Sequence, residues 1–163
     1  MFETLISKLQ EDKYLTLETT PQHEPSMHNI VEKIKKFKID SKVDGFTCTD
    51  NPLAKLKYNS LFAALKLQQE FKKPVIATMT MRDRNKIALQ SDLLGANDFD
   101  IRAILALTGD PANMSDQPNS KGVFEANSLM LLKMIKSFNY GMDFAGRPFK
   151  IEPKQIFPFA VVN

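Results

Sequence analysis

Apolar residues along this chain switch between two spacings. Phe2, Leu5, Ile6 and Leu9 recur three or four apart and predict a short leading helix. Tyr14 to Leu17 is a β-rich run that closes at Glu18 and the punctuating Pro21. Met27, Ile30, Val31, Ile34 and Phe37 then share one helical face, with Ser26 placed as the N-cap. Val43 to Thr49 predicts a second strand, closed by Asp50-Asn51-Pro52, and a helix follows from about Ser60 to Phe71. Val75 to Thr80 predicts a third strand. Ile87, Leu89, Leu93 and Leu94 predict a helix that Gly95 is placed to end in the left-handed conformation. Ile104 to Leu107 predicts a fourth strand, stopped by Thr108-Gly109-Asp110-Pro111. After the polar loop PANMSDQPNS, Leu129, Leu132, Ile135 and Phe138 predict another helix with Gly141 beyond it. Phe157 to Val162 predicts a fifth strand.

The strand starts at 14, 43, 75, 104 and 157 lie 29, 32, 29 and 53 residues apart. A crossover between parallel strands needs a helix long enough to run back along the sheet, and intervals near thirty supply it. The pattern therefore predicts an α/β fold with a mostly parallel sheet. An open doubly wound sheet and a (β/α)₈ barrel both fit, and periodicity does not choose between them.

Composition narrows the class. With 43% hydrophobic and 25% charged residues in 163, the chain reads as one globular domain spanning 1–163, neither disordered nor collagen-like. The single Cys48 cannot pair within the chain and suits the cytoplasm. The charged start MFETLISKLQED is neither a signal peptide nor an anchor, and no apolar run is long enough to span a bilayer. A net charge of +3 raises nucleic-acid binding, but the lysines are dispersed along predicted helix faces, so no nucleic-acid partner is expected. GxGxxG and Walker A loops are absent. His23 and His28 lack accompanying cysteines and read as surface residues, so no metal site is expected.

The chemistry sits where the strands stop. Glu18, Thr49 with Asp50, Thr80 with Arg82 and Asp83, Asp110, and Asn163 each follow an apolar run. Parallel α/β folds bring the carboxyl ends of their strands to one face, and that face binds ligands. These residues are therefore expected around one site.

The segments LETTP, TDNPLA, TMRDRN, LLGA and LALTGDPANMSDQP, followed by VFEANSLMLL, in this order and spacing resemble methylenetetrahydrofolate reductase. The likeness is to bacterial members of the kind also fused to homocysteine methyltransferases, and it runs from about Leu15 to Asn163. It implies a (β/α)₈ TIM-type barrel, here only about its first five strands, binding FAD at the carboxyl-terminal face. The flavin takes a hydride from NAD(P)H and passes it to 5,10-methylenetetrahydrofolate, giving 5-methyltetrahydrofolate. Glu18 matches the glutamate that protonates the folate nitrogen as the five-membered ring opens to an iminium. Such an acid needs a raised pKa, which partial burial would supply. Asp110 matches the aspartate that holds the pterin and offsets positive charge on the iminium. Thr49 matches a flavin-contacting threonine. Arg82, Asp83 and Asn85 match the RDRN signature, where flavin-region contacts and helix capping are both expected. Asp50, Thr80 and Asn163 complete the expected cofactor-binding set with Thr78 and Thr108, which stand where family members carry a histidine and, in some, an arginine.

A complete barrel of this type needs about 250 residues, so the chain reads as a fragment, a split subunit completed by a second chain, or a self-completing homo-oligomer. The isolated chain is expected to hold FAD weakly. The alternatives are a non-catalytic pterin-binding or regulatory partial barrel and, further off, a pterin or corrinoid methyltransferase barrel.

Overall fold

The structure, a computed structural model, describes residues 2–11, 13–117 and 119–161. Its elements run α1 (Phe2–Glu11), β1 (Thr16–Thr19), α2 (His28–Lys36), β2 (Gly45–Cys48), α3 (Ser60–Phe71), β3 (Val75–Thr80), α4 (Lys86–Asp98), β4 (Ala103–Leu107), α5 (Ser128–Asn139) and β5 (Phe157–Ala160). The five strands form one wholly parallel sheet in the order β1-β2-β3-β4-β5.

That order has no reversal, so the sheet lacks the switch point of a doubly wound fold. The helices agree. Val31 and Ile34 of α2, Leu67 of α3, Leu89 and Leu93 of α4, and Leu131 and Ile135 of α5 share one core with Phe46, Cys48, Ala77, Met79, Ile104 and Ala106 of the sheet. Side chains alternate along a strand, so these sheet residues all mark one face. All four crossover helices therefore cover the same side, as in a barrel, and the architecture left open by periodicity is a partial (β/α) barrel.

The opposite face carries Thr16 and Glu18, Thr47 and Thr49, Ile76, Thr78 and Thr80, then Leu105, Leu107 and Phe159. It is hydroxyl-rich on β1 to β3 and apolar on β4 and β5. Thr47 Oγ1 donates to Thr16 Oγ1 across it at 3.2 Å. Helix α1 closes its amino end, with Leu5 packed against Ile76 and Ala103 beside Phe2, Tyr14 and Phe159.

Helix ends depart from the sequence reading in three places. Gly95 does not end α4, which continues to Asp98. The left-handed residue is Asp100 at φ 61°, and Ile101 N–H closes the turn on the Ala96 carbonyl. Ser26 is not the N-cap of α2. Met27 holds that position, although Ser26 Oγ accepts from the His28 N–H at 3.0 Å. The buried face of α5 is Leu131, Met134, Ile135 and Phe138, whereas Leu129 in its first turn is exposed. Phe37 and Ile87 are also exposed, while His23 and His28 lie at the surface as expected.

Candidate active site

A cavity of about 430 Å³ opens at the carboxyl ends of the strands. Glu18, Thr49, Asp50, Thr78, Thr80, Arg82, Thr108 and Asp110 all line it, joined by Gly109, Ser128 and Val161. Of the expected residues, Asp83 and Asn85 do not line it. Asn163 lies outside the described residues.

The supports of the site are asparagines. Asn59 caps α3, Asn85 caps α4 and Asn127 caps α5, each accepting from one or two N–H groups of the first turn. Each cap ends a loop that bears site residues, so these loops are fastened where they enter the helix. This accounts for Asn85: its Oδ1 accepts from Ala88 N–H at 2.9 Å, a cap and not a cavity contact.

Asp110 follows Gly109, whose φ of +96° favours glycine. A Cβ there would meet Arg82 Cβ at 3.0 Å and Thr80 Cβ at 3.1 Å, so the backbone passes close over β3 only because the side chain is missing. Asp110 Oδ2 accepts from Leu53 N–H at 2.6 Å. That bond steadies a loop in which Asn51, Leu53 and Ala54 all have left-handed backbones, a strained arrangement for Leu and Ala. Glu18 sits on β1 and is exposed, contrary to the burial expected of an acid with a raised pKa. The reason is topological: β1 is an edge strand, and among the described residues no strand covers its outer side.

Asp50 is buried and fully engaged. Its Oδ2 accepts from Thr80 N–H and Thr80 Oγ1, both at 3.0 Å, and from Arg84 Nη1 at 2.7 Å. Arg84 Nε also lies 2.8 Å from Asp92 Oδ2. Burial disfavours the charge on Arg84, but the two carboxylates outweigh it and hold its pKa above the usual arginine value. Burial raises the Asp92 carboxyl. Arg84 is the residue that the sequence reading passed over, although it stands inside the RDRN segment. Because Thr80 gives its hydroxyl proton to Asp50, it turns only acceptor lone pairs to the cavity.

Arg82 is 2% exposed, and its Nε and Nη2 donate to Asp83 Oδ1 and Oδ2 at 2.8 and 2.6 Å. Burial pushes the Asp83 carboxyl up, but Arg82 more than offsets this and holds it below the usual range. Two buried polar atoms of the site have no partner among the described residues, Arg82 Nη1 and Thr49 Oγ1. Thr108 Oγ1 accepts from Ser128 N–H at 3.1 Å and so joins β4 to the start of α5.

Comparison with curated proteins finds no match. A family model described as methylenetetrahydrofolate reductase matches residues 3–149, a span that holds β1 to β4, α2 to α5, all of α1 but Phe2, and all the cavity residues named above except Val161. On that match the chain belongs to the methylenetetrahydrofolate reductase family, folate-linked oxidoreductases, and its open five-stranded sheet is part of that family's α/β barrel.

Proposed function

We propose that this chain carries the folate-reducing carboxylates of a flavin-dependent methylenetetrahydrofolate reductase, with NAD(P)H as the electron source. Glu18 is the proton donor to the folate nitrogen, and Asp110 faces the pterin and the reacting carbon. The observation that supports this reading is that Glu18 and Asp110, from opposite halves of the sheet, line one cavity at its carboxyl end.

The donor set suits FAD. Thr49 Oγ1 is a buried polar atom awaiting an acceptor, and Thr80 offers lone pairs to an N–H. Bound FAD would supply hydride transfer between nicotinamide and folate. The protein's own part is electrostatic and steric. The Leu53 N–H orients Asp110 so that its charge meets the cation developing on the substrate. Glu18 is exposed on the edge strand, so a ligand or a covering strand is what would exclude water from it. In this proposal the 163 residues fold as one partial barrel in the cytoplasm, completed by further strands of a longer chain, by a second subunit or by a second copy along the free edges of β1 and β5.

The test supplies the chain with excess FAD, NAD(P)H and 5,10-methylenetetrahydrofolate and follows nicotinamide oxidation and the 5-methyl product separately. Glu18→Gln is expected to keep electron transfer to flavin and lose folate reduction. Asp110→Asn is expected to slow the folate step by about 10²–10³-fold. If Glu18→Gln affects neither step, Glu18 has no place in the mechanism. Failure to bind flavin at saturation would favour the second reading, a pterin-binding module without redox chemistry, for which the exposed Glu18 already speaks.

A further inference from the structure

A smaller cavity of about 170 Å³ lies among the same loops and shares Arg82 with the large one. The two differ in charge. Acidic side chains dominate the large cavity, and Glu18 and Asp110 form no ion pair among the described residues. The small one is lined by Lys55, Arg82 and Lys121 against Asp83. Both Asp83 oxygens already hold Arg82, and neither lysine has an ion pair among the described residues, so two positive charges are left over. Three separate loops bring these cations together: Lys55 follows β2, Arg82 follows β3 and Lys121 follows β4. Val123 N–H donates to the Arg82 carbonyl at 2.6 Å and fastens the last loop there. Ser115 and Ser120 add hydroxyls. Ser115 Oγ accepts from Gln117 N–H, which leaves its own proton for a ligand.

We propose that this small cavity is an anion subsite, holding the phosphate or carboxylate tail of a ligand whose ring lies in the large cavity. Arg82 Nη1 is a charged donor, buried and without an acceptor. Leaving such a group unsatisfied is costly, and an anionic oxygen entering the cavity removes that cost. Lys55 and Lys121 stand at the surface, where they draw the anion in. That the tail belongs to the ring ligand rests on the function proposed above; anion binding by itself does not.

The experiment titrates the labelled chain with inorganic pyrophosphate and follows backbone amide resonances. Saturable shifts are expected around Lys55, Ser115 and Lys121, with affinity falling about tenfold or more in the Lys55→Ala/Lys121→Ala double variant, a loss of about 1.4 kcal/mol. No saturation, or unchanged affinity in the double variant, overturns the subsite. Two further pairs identify the source of the tail: FAD against riboflavin for a diphosphate, and folic acid against pteroic acid for glutamate carboxylates. The double variant should erase the affinity advantage within one pair and leave the tail-less member's binding alone. If both ratios survive, the tail assignment is wrong even where pyrophosphate binds. If riboflavin and pteroic acid both fail to bind, the functional reading falls together with the tail assignment, while the pyrophosphate result still decides the anion site.

Discussion

Arg84 and Asp50 illustrate how much rests on one buried ion pair at the residue scale. Removing a partner from such a pair strands the other charge away from water. Arg84→Met is therefore expected to destabilise the chain by about 3–5 kcal/mol, with Arg84→Lys intermediate, as read by urea denaturation. An unchanged midpoint for Arg84→Met would mean that Asp50 reaches water in solution. Cys48 gives a test in pH. Burial pushes its thiol from 9.0 up to about 12. A folded-state pKa above the unfolded one stabilises at low pH, so the contribution is whole below about 9 and is lost as pH rises towards 12. Cys48→Ala should flatten the alkaline fall in stability. Native Cys48 should also resist thiol reagents near neutral pH. Sequence made the strand-end carboxylates legible, because polarity after an apolar run is visible in one dimension. It did not separate the neighbours in Arg82-Asp83-Arg84-Asn85. Which of four polar side chains on a turn points inward is decided by backbone direction, and no composition encodes that.

Elements were legible to the extent that packing agreed with periodicity. Strand β3 and helix α3 fall where alternation and helical spacing put them. Helix α4 overran Gly95 because that residue faces solvent with nothing within 4 Å of a Cβ, and Leu93 before it and Ala96 after it hold the helix to the core. A mid-helix glycine lowers stability by up to about 1 kcal/mol relative to alanine. Gly95→Ala is accordingly expected to raise the melting temperature, whereas Gly109→Ala, with φ at +96° and β3 pressing close, should lower it. Opposite signs from the same substitution would separate a glycine tolerated from one required. Equal signs would contradict the backbone described for one of them.

The whole molecule combines a closed helical side with an open sheet. Among the described residues, edge strands β1 and β5 each have one neighbour; β5 carries exposed Phe157, and exposed Val161 follows it. Unpaired edges with apolar side chains invite association. Sedimentation should therefore reveal self-association that strengthens with concentration and weakens in Phe157→Lys; a monomer at every concentration would count against it. The barrel-type placement of the helices was beyond the reach of sequence periodicity, since a 3.6-residue repeat is the same whichever side of a sheet the helix packs on.

Helix α1 stops up the sheet at the end remote from Glu18 and Asp110. Approach to the chemistry from that end is thereby shut off. The same division of labour gives evolution, or an engineer, a handle: the plug can be tightened or loosened to set thermal endurance while the reacting groups at the other end stay untouched.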